Sequence, residues 1–106
     1  MRIASLGSGS KGNATLVDTG ETLLLIDCGL TRKEAEDRLV ARGVSAGEID
    51  AILVTHEHGD HCRGVAALSS AHELPVFLTA GTAGSPKLAG LQKSVIIRPG
   101  DRFDVG

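Results

Sequence analysis

The apolar positions of this chain come in short blocks separated by glycine and polar clusters, and the spacing changes from block to block. Arg2 to Leu6 and Ala14 to Asp18 read as two short strands on either side of Gly7-Ser8-Gly9-Ser10-Lys11-Gly12-Asn13. Thr19-Gly20-Glu21 is a turn of hairpin length. Thr22-Leu23-Leu24-Leu25-Ile26-Asp27 follows, almost continuously apolar, which suits a strand covered on both faces.

Helical spacing begins at Thr31. Thr31 and Glu34 stand at capping-box spacing and Gly43 supplies a stop. Ala35 and Leu39 form the inner stripe, while Arg32, Lys33, Glu36, Asp37 and Arg42 form a solvated face. Ser45 to Glu48 reads as a linker or one helical turn, and Asp50 to Val54 as a strand. Arg63 to Glu73 predicts a helix with Val65, Leu68 and Ala71 on one face, and Pro75 to Leu78 a further strand. A broken helix is expected over Thr79 to Leu91, because that stretch carries three glycines and a proline. Ser94 to Arg98 is a strand and Pro99-Gly100 a turn, after which Asp101 to Gly106 looks like the start of a return strand. The order of elements is an α/β pattern whose sheet opens with hairpins and continues through helical crossovers. Ending inside an expected hairpin, the chain reads as an excerpt of a longer protein.

With 106 residues, 42% of them hydrophobic, the chain has the material for one small domain with a core. There are two Phe and no Tyr or Trp, which argues against the aromatic stacking platforms of single-strand binders. A net charge of −2 gives no global electrostatic footprint for nucleic acid and leaves room only for a local patch. Cys28 and Cys62 are the two cysteines, without short paired spacing, so a reducing cytoplasm fits better than a disulfide framework. No stretch approaches the roughly 18 apolar residues of a membrane span, and no signal-like segment opens the chain.

The candidate chemistry lies after the Asp50 to Val54 strand. Thr55-His56-Glu57-His58-Gly59-Asp60-His61 gathers three of the four histidines and an aspartate. Imidazole nitrogens and carboxylate oxygens are ligands for zinc and similar divalent ions, and so many of them together call for a cation. The bland alternative is a polar, histidine-rich loop. Asp27, at the end of a buried strand, is either a turn aspartate or a group orienting the metal loop. Thr55 can hydrogen-bond loop backbone or merely sit at a strand end. The Ser8 to Asn13 loop has no P-loop spacing. Its amides and Lys11 suit a phosphate, and its glycines equally suit a tight turn. Cys28 and Cys62 are best read as small buried residues, and His72 as a surface imidazole at a helix end.

The stretch His56-x-His58-x-Asp60-His61 resembles the H-x-H-x-D-H signature of the metallo-β-lactamase fold superfamily. Together with Ser5 to Asn13 and Leu25-Ile26-Asp27-Cys28-Gly29, it is similar to the YycJ/WalJ-like branch of metal-dependent hydrolases, linked to exonuclease activity on DNA. The resemblance implies an αββα sandwich, of which residues 1–106 would be the N-terminal half, a partial domain with a mixed sheet and helices on one face. It implies two divalent ions, zinc before manganese, with His56 and His58 on the first and Asp60 and His61 on the second. The nucleophile would be a metal-bound hydroxide held in part by Asp60, and Asp27 would lie behind the site. Ser8, Lys11 and Asn13 would be a substrate loop. Further ligands would lie downstream, so the chain by itself would be weak or inactive. The apolar face holding Thr22 to Ile26 and Ala51 to Val54 would be open unless the missing half or a second copy in a homodimer covered it. The implied activity is phosphodiester hydrolysis on nucleic acid. The alternatives are a thioester or lactone hydrolase of the same fold, and a non-catalytic metal-binding assembly fragment.

Overall fold

Six strands form one sheet in the order in which the chain visits them: β1 (Arg2–Gly7), β2 (Ala14–Asp18), β3 (Leu23–Ile26), β4 (Ala51–Leu53), β5 (Val76–Thr79) and β6 (Ser94–Ile97). The computed structural model describes residues 1–8, 12–55, 62–79 and 94–97. The sheet is mixed. β1, β2 and β3 pair antiparallel, and β3 to β6 pair parallel. Parallel neighbours need crossovers, which α1 (Arg32–Ala41) supplies between β3 and β4 and α2 (Val65–His72) between β4 and β5.

α1 forms where its signals place it. Thr31 Oγ1 accepts from the Glu34 N–H at 3.2 Å, and the Thr31 N–H donates to Glu34 Oε1 at 2.9 Å, closing the capping box. At the other end Gly43, with φ +76°, lets its N–H reach Val40 O and the Val44 N–H reach Leu39 O, a Schellman closure. Ser45 to Glu48 is one 3-10 turn, Ala46–Glu48. Its approach to β4 is fixed by Asp50, whose N–H donates to Leu23 O while its carboxylate accepts from the Leu23 N–H.

One row of register partners, Leu16, Leu25, Ile52 and Val76, packs in the main core with Ala35 and Leu39 of α1 and Val65 and Leu68 of α2. The expected inner stripe of α1 is therefore observed. In α2 the inner residues are Val65, Leu68 and Ser69, and Ala71 is exposed. Six positions from Val65, Ala71 sits about 120° round the helix, because 3.6 residues per turn carries an i, i+3, i+6 series off the buried face. Ser69 takes the place, its hydroxyl donating to Leu74 O at 2.6 Å.

The β3 run also differs from expectation. Leu25 is fully buried, but Leu23, Leu24 and Ile26 are only half-buried. The rows facing away from the helices include Ile3, Val17 and Leu24, and Ile26, Leu53, Phe77 and Val95. On this face Phe77 is buried, Ile26 and Leu53 half-buried, and Ile3 and Val95 exposed at 68% and 41%. The face is apolar and incompletely covered. The expected broken helix beyond Thr79, the Pro99-Gly100 turn and the return strand lie outside the described residues.

β1 and β3 both run antiparallel to β2, and β3 to β6 are parallel. The carboxyl ends of β1, β3, β4 and β5 therefore meet at one edge of the sheet. Ser8, Asp27 and Thr55, the described residues that follow β1, β3 and β4, lie at that edge, where open α/β sheets carry their ligands.

Candidate metal centre

Three consecutive residues after β3 organise this edge. Asp27 takes φ +61°, a conformation that Asp tolerates better than most residues. Its N–H donates to Leu53 O at 2.8 Å, and its carboxylate is turned toward the end of β4. There Oδ1 accepts from the Thr55 N–H at 2.7 Å and Oδ2 from the Thr55 hydroxyl at 2.5 Å. Both oxygens of a carboxylate only 5% exposed are thereby engaged by the residue that precedes His56.

Cys28 O accepts from the Gly64 N–H at 2.8 Å, three residues after His61. The Gly29 N–H donates to Asn13 O at 2.9 Å, at the end of the glycine loop. Residues 27–29 thus hold the entrance of the histidine stretch, its exit, and the neighbouring loop. Two glycines permit the approach. A Cβ on Gly64 would stand 2.1 Å from Leu30 O, and one on Gly12, at φ +137°, 2.9 Å from Leu30 Cδ2 and 3.0 Å from the Gly29 carbonyl. No residue with a side chain fits at Gly64 without moving the backbone.

Both cysteines are fully buried and free of disulfides. Burial pushes the Cys28 thiol up to about 11, and Sγ donates to Leu30 O at 3.5 Å. A thiol in that state is a packing group at neutral pH. His72 is half-buried and committed elsewhere, with Nε2 2.6 Å from Glu36 Oε2 between α2 and α1.

The expected ligands His56, His58, Asp60 and His61 lie outside the described residues, as does Lys11. Ser8 is exposed just beyond β1, and Asn13 is half-buried with its carbonyl held by Gly29. Among the described residues no group of three His, Cys, Asp or Glu side chains could hold a metal ion. The expected donors His56, His58, Asp60 and His61, three imidazoles and a carboxylate, suit a divalent ion, and the flanking residues Thr55 and Gly64 are held by Asp27 and Cys28. The sequence singled out Asp27 but not the Gly64 anchor or the two hydrogen bonds that Thr55 donates to Asp27. A glycine just after a ligand-rich stretch was the one available signal.

The sequence profile of the metallo-beta-lactamase superfamily matches residues 7–105. The chain is 39% identical over 77 residues to exodeoxyribonuclease YycJ of Bacillus anthracis, covering 73% of this chain and 29% of that protein. It is 32% identical over 100 residues to ribonuclease Z of Methanopyrus kandleri, covering 86% and 35%. Among solved structures it superposes on the Rm3 metallo-beta-lactamase with a TM-score of 0.79 at 23% identity, over 98% of this chain and 45% of that one. The chain spans less than half the length of each of these relatives, and the structural likeness speaks for the fold. No helix among the described residues is long and apolar enough to cross a membrane. With the profile covering nearly every residue and the sheet topology in agreement, this chain belongs to the metallo-beta-lactamase superfamily.

Proposed function

We propose that this chain is the N-terminal portion of a binuclear metal-dependent hydrolase that cleaves phosphodiester bonds of nucleic acid in the cytoplasm. The observation that carries this reading is the threefold tie at residues 27–29, which holds both flanks of the histidine stretch and the glycine loop at one sheet edge. The names of the two nuclease relatives support nucleic acid as the substrate class.

In this reading His56 and His58 hold one ion and Asp60 and His61 the other, zinc in preference to manganese. Divalent ions in such a site supply activation of water and neutralisation of charge on a phosphoryl oxygen. The protein's own groups do the positioning. Asp27 fixes Thr55 and so the direction in which the backbone enters His56. Gly64 lets the exit close against Leu30. The Ser8 to Asn13 loop offers backbone amides and the Lys11 ammonium to a substrate phosphate. The incompletely covered apolar face takes the second sheet of the fold or, for this chain alone, a second copy.

Titrating metal-free protein with zinc or manganese in a calorimeter tests the ligand assignment. His58→Ala abolishes uptake if the assignment holds, and an unchanged stoichiometry overturns it. Comparing metal-dependent cleavage of labelled DNA with that of a thioester tests the substrate class. A preference for the thioester overturns the phosphodiester reading.

A further inference from the structure

Arg38 on α1 and Arg42, the residue that caps its C-terminus, lie one turn apart, about 6 Å along the helix axis. Both reach across to the edge strand: Arg38 Nη1 donates to Leu6 O and Arg42 Nη2 to Ser5 O, the latter at 3.1 Å. Each bond uses one of the five donors of a guanidinium. With Ser5, Leu6 and Ala41 the two arginines line an open cavity of about 360 Å³. Arg42 also borders a smaller cavity of about 140 Å³ together with Arg2 and Asp18.

The row continues toward the metal-ligand stretch. Arg63 stands two residues after His61. It is near enough to Glu34, in the first turn of α1, to join Arg38 in holding that carboxyl below its usual range, behind the larger effect of the Thr31 backbone N–H. α1 starts at the ligand-bearing edge of the sheet and runs back beside β1, so Arg63, Arg38, Arg42 and Arg2 follow one another away from that edge. The acidic neighbours interrupt the row little. Glu34 is tied into the capping box, Asp37 is about 100° round the helix from Arg38, and Asp18 enters only at the far cavity.

We propose that Arg38 and Arg42 form a phosphate track that carries the backbone of a single-stranded nucleic acid along α1, away from the metal-ligand stretch. The proposal rests on the nucleic-acid reading above and adds to it where the strand runs. Paired guanidiniums suit phosphate oxygens, and a track of this kind does not depend on aromatic stacking, for which this chain has only two Phe and no Tyr or Trp.

The test is binding of fluorescein-labelled oligothymidylate to the metal-free chain, followed by anisotropy across a salt series. Arg38→Gln and Arg42→Gln are each expected to make the slope of log K against log salt shallower by about 0.7, the double variant by about 1.4, as for one lost single-strand phosphate contact apiece. Arg42→Lys is expected to keep the slope. Binding with an unchanged slope in both Gln variants overturns the track while leaving the nucleic-acid reading intact, and a lowered melting temperature with an unchanged slope overturns it in favour of a purely structural role. Absence of strand binding by the wild-type chain overturns both.

Discussion

Replacing Asp27 separates the geometry of its carboxylate from its charge. Asp27→Asn keeps the shape and a residue type that accepts φ +61°. The amide oxygen can accept from the Thr55 N–H and the amide nitrogen can donate to the Thr55 hydroxyl oxygen, so both contacts survive as neutral hydrogen bonds. Each is weaker by about 1 kcal/mol than its charged counterpart, and relief from burying a charge offsets part of this. The net cost is about 1 kcal/mol. Asp27→Ala loses both bonds and leaves the Thr55 N–H without its partner, about 1–3 kcal/mol. It also forces alanine into the left-handed region, about 1–2 kcal/mol more. The sum is about 2–5 kcal/mol. Urea unfolding of the metal-free chain, followed by far-ultraviolet circular dichroism because the chain has no Trp or Tyr, measures both. Alanine and asparagine variants of equal stability, within about 0.5 kcal/mol, would refute the reasoning, since the tie to Thr55 would then contribute nothing.

Gly64→Ala and Gly43→Ala form a contrasting pair. The first meets Leu30 O at 2.1 Å and is expected to cost about 3 kcal/mol or prevent folding. The second meets nothing within 4 Å and pays only for φ +76°, about 1 kcal/mol. Similar unfolding midpoints for the two would contradict the packing argument. The Glu36 carboxyl is held below its ordinary value of 4.5, first by His72 and then by Arg32. A depressed carboxyl stabilises the fold above its ordinary value, and that contribution is lost as pH falls through the lower, folded value. His72→Ala should therefore flatten the loss of stability below about pH 4.5, seen in thermal melts across an acid series, and an unchanged acid limb would count against the pair.

Much of this protein is written locally. The capping box of Thr31 and Glu34, the stop at Gly43, the antiparallel pairing of β1 to β3 and the strand–helix alternation as far as β5 depend largely on neighbours within a few residues, and each formed where the pattern placed it. The ligand-rich stretch at 56–61 and the family it belongs to were equally legible, because donor chemistry and spacing are properties of the chain. Other features were decided across distance. Whether Leu24 is covered depends on what lies over the second face of the sheet, so an unbroken apolar run predicted more burial than the fold provides. Ser69 in place of Ala71 depends on where α2 begins and on Leu74 offering a carbonyl. The tie from residues 27–29 to Thr55, Gly64 and Asn13 joins positions up to 36 apart. The sequence names the groups that can hold a metal. The meeting of Asp27 with Thr55 at one sheet edge follows only once parallel pairing brings the carboxyl ends of β3 and β4 together, because hydrogen-bond geometry acts between neighbours in space.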